Sequence, residues 1–304
     1  MKNNKTLILT LLFISIFNVA FSKTNTRREV SRYLQDISVT IKSESNYDAS
    51  EGSGVLVNRM IGKEKTTFVW TCAHVIDNLR TVRTVIEHGV PKKMVEFDDV
   101  QIIKELVESG RRVGEIKMDA KVIKYSDARN GEDLALLMVR AKDYGKDSTK
   151  FYLNKDNSII PIGTQLFHVG SLLGQMGSNS MTTGIVSQVG RIHGKVEFDQ
   201  TTVTAFPGSS GGGVFLESGE YVGMIARGAG EGFNLMIPIR RIVRWAKEHE
   251  IMWAIDPNIK MPTLKEIEDL PIENTSPEEN DNKNKKSSSG NTEDFPFLIR
   301  EKLK

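Results

Sequence analysis

The chain of 304 residues has a single cysteine, Cys72, so no disulfide can form within it. Its fold has to be held by a buried core instead. It has little surplus of either charge: 41 Lys and Arg stand against 39 Asp and Glu, and loss of Lys2 and Lys5 with the leader described below makes the balance neutral. Net charge therefore gives no reason to expect nucleic acid or an anionic surface as a partner. Beyond the first 21 residues no run is long and apolar enough to cross a bilayer. The His, Cys and acidic residues show no zinc or calcium spacing, and Gly228-Ala229-Gly230-Glu231-Gly232 lacks the Lys-Ser/Thr pair of a nucleotide loop. No metal and no other cofactor is expected.

What the amino terminus does have is Lys2 and Lys5, an apolar stretch from Leu7 to Phe17, and the small-x-small pattern Ala20-Phe21-Ser22. This reads as a secretory signal peptide over residues 1–22, which places the mature protein outside the cell or in a periplasm. Membrane attachment would follow only if the leader stayed uncleaved. An exported chain without disulfides fits a bacterial envelope better than an animal secretion.

From Ile37 onward the texture is of short strands. Ile37–Ile41 alternates apolar and polar residues; Gly52–Val57, Thr66–Thr71, Val95–Leu106, Val113–Tyr125, Leu134–Val139 and Gln165–Gly170 follow, then Gly184–Val189, Lys195–Phe198, Gly213–Leu216 and Tyr221–Arg227. Turn signals such as Asn130-Gly131 and Ser218-Gly219 separate several of them. Many strands without alternating helices predict an all-β barrel or sandwich. Thr24–Arg32 is read as a loose arm or a short helix. The one strong helix is Ile239–Glu250, with Ile242, Val243, Trp245 and Ala246 as its apolar stripe. Residues 256–304 are read as a mostly disordered tail, since Asn274–Asp294 is too polar to bury a core, and its last ten residues are apolar enough to dock.

Three short segments carry the chemistry. Ala205-Phe206-Pro207-Gly208-Ser209-Ser210-Gly211-Gly212-Gly213-Val214 puts a serine in a glycine turn that could present both a hydroxyl and backbone N–H groups. Such a run alone can also be an idle flexible turn. A serine hydroxyl needs a base, and the base needs an acid to fix its tautomer. Thr71-Cys72-Ala73-His74 and Asp133-Leu134-Ala135-Leu136-Leu137 supply both, each at a strand end. Asp127 competes with Asp133, and Ser209 with Ser210. Cys72 is read as a small buried residue, and His88, His168, His193 and His249 as packing or solvent-facing residues.

In this order, Thr71-Cys72-Ala73-His74-Val75, Glu132-Asp133-Leu134-Ala135-Leu136-Leu137, Thr183-Gly184-Ile185-Val186-Ser187 and Gly208-Ser209-Ser210-Gly211-Gly212 resemble the motifs of chymotrypsin-like serine proteases, nearest the bacterial HtrA (Deg) branch. Tyr221-Val222-Gly223-Met224-Ile225 and Gly232-Phe233-Asn234-Leu235-Met236-Ile237-Pro238 extend the resemblance, which runs from Gly52 to Trp245. It implies two six-stranded antiparallel barrels and a C-terminal helix over residues 23–255, with the barrel boundary near 145–160, and no room for a PDZ domain. It further implies Ser210 as nucleophile, His74 as general base and then acid, Asp133 as its orienting acid, and the N–H groups of Gly208 and Ser210 as an oxyanion hole. The specificity pocket would be lined by Thr204, Ala226 to Gly228, and Gly232 to Asn234, with Thr204 at its base. No acid stands there, so small or medium apolar side chains are expected before the scissile bond. Protein or peptide substrates follow; a homotrimer is the state of many relatives. The departure is Ser209, where relatives carry Asn or Asp. Two other readings compete: a non-catalytic double-barrel binding or scaffold protein, and a serine esterase built on the Gly208-x-Ser210-x-Gly212 elbow.

Overall fold

A computed structural model of the chain describes residues 27–87, 89–108, 110–153, 159–228 and 232–273. The leader, His88, the residues after Glu273, and with them the expected docking of the last ten residues, lie outside it. Residues 27–36 are helical (α1) and lead into the first barrel. Its strands are β1 (Ser38–Glu44), β2 (Ala49–Ile61), β3 (Glu64–Thr71), β6 (Val100–Glu108), β7 (Arg111–Ser126) and β8 (Leu134–Val139), in the closed order β1-β2-β3-β8-β7-β6. Between β3 and β6 stands a separate hairpin, β4 (Arg80–Glu87) and β5 (Val90–Phe97).

The second barrel follows: β9 (Lys150–Phe151), β10 (Gln165–Gly170), β11 (Ser180–His193), β12 (Val196–Thr201), β13 (Gly213–Phe215), β14 (Glu220–Gly228) and β15 (Asn234–Pro238). Pairing of β13 with both β10 and β14 closes six of these into a barrel. The two-residue β9 is added in parallel to β14. This is the all-β double barrel, and α2 (Ile239–Glu248) is its C-terminal helix, ending two residues before the sequence signal does.

Local sequence explains the layers. β8 is apolar at every position and buried at every position, because it lies between β3 and β7 with both faces covered. β3 is covered in the same way: Trp70 meets Trp245 of α2 edge-on at 5.9 Å, Phe68 meets Trp253 at 5.1 Å, and the Trp70 indole N–H donates to the Ala254 carbonyl at 3.2 Å. One hydrophobic core spans the first barrel and the seam between the barrels. A second, of Ile160, Leu166, Val186, Val203, Val214, Val222, Ile225 and Met236, fills the second barrel.

Two expectations change. Val95–Leu106 is two strands rather than one, since the chain breaks at Asp98 and Asp99 and the first half turns back as β5. Asp256–Glu273, assigned to the tail from its prolines, packs on the first barrel. It forms a short helix, α3 (Leu264–Glu268), with Thr263 and Glu266 in a reciprocal capping box, and Ile267 is buried. Its backbone carbonyls explain the order: Arg59 donates to those of Asp256 and Ile259 at 2.9 and 2.7 Å, and Lys124 to that of Pro271 at 2.7 Å.

Candidate active site

His74 and Asp133 come from facing strand ends of the first barrel. His74 lies in a 3-10 turn (Ala73–Val75) just after β3, and Asp133 immediately precedes β8, the strand paired with β3. Both are buried, at 3% and 1% exposure. The His74 Nδ1 lies 3.0 and 2.9 Å from the two Asp133 carboxylate oxygens, and the His74 backbone N–H donates to Oδ1 at 3.1 Å. A carboxylate can only accept, so Nδ1 carries a proton, and in the neutral tautomer this leaves the lone pair on Nε2. Nε2 is buried and makes no hydrogen bond among the described residues.

Asp133 holds a left-handed backbone, φ 57°, which is costly for a residue with a Cβ. The preceding turn supports it. Asp127 accepts the N–H groups of Arg129 and Asn130 at 2.8 Å each, so the rival acid caps this turn and Asp133 alone reaches His74. Glu132 is pinned from α2, where the fully buried Arg241 donates to its carboxylate and to its carbonyl, each at 2.8 Å. Burial by itself pushes the Asp133 carboxyl up. The charge and hydrogen bonds of His74, together with the charge of Arg227, outweigh that and hold it below the usual value.

The glycine-serine turn approaches from the second barrel, and Ser53 of β2 ties it down. The Ser53 N–H donates to the Ser210 carbonyl at 2.8 Å, and the Ser53 hydroxyl donates to the Gly208 carbonyl at 2.7 Å while accepting the Ser171 N–H at 2.7 Å. A Cβ on Gly52 would lie 2.5 Å from Val75 and 3.1 Å from the Ser210 carbonyl, so the residue after His74 and the backbone of Ser210 flank one α-carbon. A Cβ on Gly211 would meet the Ser53 carbonyl at 2.2 Å and the Cys72 nitrogen at 3.0 Å. The structure therefore brings His74, Asp133 and Ser210 to one seam, without a hydrogen bond between Ser210 and His74 Nε2.

Ser209 is held by three hydrogen bonds within the turn. Its hydroxyl accepts the Phe206 N–H at 3.1 Å, its N–H donates to the Phe206 carbonyl at 2.9 Å, and its carbonyl accepts the Gly212 N–H at 2.9 Å. Gly208 has φ 93° and faces the Ser171 carbonyl, which a Cβ would approach to 2.2 Å. Only glycine fits there.

The expected pocket residues fare unevenly. Ala226, Gly228 and Asn234 are buried, and the Asn234 amide donates to the Val203 carbonyl at 2.7 Å. Gly232 is exposed. Thr204 is exposed too, its carbonyl accepting from Thr182 at 2.9 Å, because Val203 takes the inward position of that stretch. Arg227, inside the expected pocket range, instead extends toward Asp133. The sequence singled out neither Ser53 nor Arg227; Ser53 could have been found from its place between two glycines in a strand.

Cys72, His74 and Asp133 bring donor atoms within 4.8 Å of one another. As a metal-ligand set they fit poorly. The Cys72 thiol donates to the Ile225 carbonyl at 3.3 Å and burial pushes its pKa well up, so it is the protonated form that the site favours.

A double β-barrel with a buried His–Asp pair and a glycine-serine turn at the seam defines the chymotrypsin type of hydrolase. The sequence matches the trypsin-like peptidase domain over residues 52–224, more than half of the chain, and the protein belongs to that family. The fold is similar to the crystal structure of Deg5, with a TM-score of 0.52 and 21% identity over 77% of this chain and 98% of that one. No curated protein matches the sequence.

Proposed function

We propose that the protein is a serine endopeptidase, exported by its N-terminal leader, that cleaves protein or peptide substrates through an acyl-enzyme. The observation that carries this reading is the buried His74–Asp133 pair, oriented through Nδ1 and adjoining the turn that bears Ser210. In the reaction His74 Nε2 takes the Ser210 hydroxyl proton as that oxygen attacks the scissile carbonyl. It then returns the proton to the leaving amine. Asp133 orients the ring and stabilises the imidazolium. The N–H groups of Gly208 and Ser210 receive the oxyanion. The Ser210–His74 hydrogen bond closes when substrate fills the seam, as such bonds commonly tighten only in the complex.

A fluorophosphonate probe tests this directly. Wild type should be labelled, and Ser210→Ala and His74→Ala should not. The open Ser210–His74 bond favours one alternative, a double barrel used as a binding or scaffold protein. Absence of labelling on folded wild type would establish that reading and end the peptidase one. Esterase chemistry on a strand-elbow-helix is disfavoured, because after Ser210 the chain continues as the hairpin of β13 and β14. Cleavage of casein but not of short-chain esters is expected. The expected pocket residues that are buried, Ala226, Gly228 and Asn234, include no acid, so a peptide-library profile should show small or medium apolar side chains before the cut, and dominance of Lys or Arg would refute that preference.

A further inference from the structure

Strand β14 brings Arg227 beside Asp133. None of Met224, Ile225, Ala226 and Gly228 has a side-chain donor for the carboxylate, and Arg227 is the exception. Its Nη2 lies 3.7 Å from Asp133 Oδ2, the oxygen whose other contact is the His74 ring, and 3.3 Å from the Ala128 carbonyl, to which it donates. The residue is 8% exposed and its guanidinium stands 5.7 Å from the centre of the Phe198 ring. Its Nε is buried and makes no hydrogen bond among the described residues.

A second guanidinium, Arg241, lies on the same ring at 4.8 Å. The two cations divide the two neighbouring acids between them: Arg241 pairs with Glu132, and among the described residues Arg227 pairs only with Asp133. A buried cation is tolerated only beside a counter-charge. Among the described residues, Asp133 is thus the acid to which Arg227 is matched.

We propose that Arg227 is a positioning residue for the His74–Asp133 pair, bracing the Asp133 carboxylate from β14 so that both of its oxygens stay turned to His74. The inference deepens the peptidase reading and rests on it for its catalytic consequence, whereas the bracing itself is a property of the fold. Arg227 touches no reacting atom. It acts through Asp133, and through Asp133 on the tautomer of His74.

The test uses the full chain with Arg227→Gln and Arg227→Lys. The readout specific to positioning is the downfield proton NMR signal of His74 Nδ1–H bonded to Asp133, assigned by its loss in Asp133→Asn. R227Q should be folded, lose or markedly broaden that signal, and react with the fluorophosphonate about tenfold to a hundredfold more slowly, the cost of a small misplacement of a catalytic group. R227K, which keeps the charge, should recover the signal and most of the rate. A folded R227Q with the wild-type signal and rate overturns the proposal. Should R227Q not fold, the melting temperatures of D133N and D133N/R227Q decide. With the carboxylate replaced by an amide, Arg227 is a buried unpaired cation, so the double variant should melt higher than D133N; a lower value overturns the pairing. If wild type is not labelled, the peptidase reading fails, and the NMR signal and the melting temperatures still decide the role of Arg227.

Discussion

At the scale of single residues the site is built from backbone as much as from side chains. Gly208 shows this best, since its φ of 93° and the Ser171 carbonyl 2.2 Å from any added Cβ make the position intolerant of alanine on two counts. Gly208→Ala should therefore lose stability as well as labelling, by at least about 1–2 kcal/mol for the left-handed backbone alone. From the oxyanion role and glycine's freedom of backbone angle, activity is expected to suffer more than stability; the close approach of the Ser171 carbonyl adds the stability loss. Thermal melts beside fluorophosphonate labelling check the point; an unchanged melting temperature would show that the turn relaxes around the added methyl. His74, Asp133 and Ser210 were legible because their motifs stand in a fixed order along the chain. Ser53, Arg227 and Arg241 were not, because each acts on a residue distant in sequence and nothing near it announces the partner.

At the scale of elements, β10 shows how a strand can support the turn from beneath. His168 is wholly buried, its Nδ1–H donating to the Gly213 carbonyl at 3.0 Å, and its ring would lie 2.6 Å from a Cβ on Gly212. Burial pushes its pKa down from 6.5 to about 4. The folded state thus resists protonation that the unfolded chain accepts. Stability from the neutral ring is fully present above pH 6.5, declines as pH falls toward 4, and amounts to roughly 3 kcal/mol at most. His168→Gln keeps a donor but does not titrate, so its melting temperature should fall less than that of wild type across that window; parallel curves would refute this. The strands themselves were largely readable, from period-two alternation or from apolar runs such as β8. The β4–β5 hairpin was not, because Arg83, Lys92, Lys93 and Glu96 mix charge with apolar residues on both of its faces, and it packs outside either barrel.

At the scale of the molecule, the segment after α2 straps the first barrel. Arg59, Lys124 and the Tyr125 N–H hold its carbonyls, and Arg80 grips Glu273 through two hydrogen bonds of 2.5 and 2.8 Å. Trp253, Ile255 and Ile267 are buried by the same arrangement. A chain ending at Ile255 should lose about 5–10 °C in melting temperature, since it exposes apolar surface and removes the carbonyl over the buried Lys124. Calorimetry of the truncated protein tests this, and an unchanged transition would mean the strap contributes nothing. The polar, proline-punctuated sequence concealed this order, because its contacts run through backbone carbonyls, which composition does not encode.

The sequence by itself determined the class of fold, the family and the triad candidates, since strand periodicity and the spacing of short motifs are local properties of a chain. Only the tertiary structure decided how the site is held. Which acid reaches His74, which serine anchors the turn, where Arg227 points and what covers β3 all depend on contacts between segments up to two hundred residues apart. Burial and counter-charge select those contacts, and both exist only once the two barrels have closed against each other.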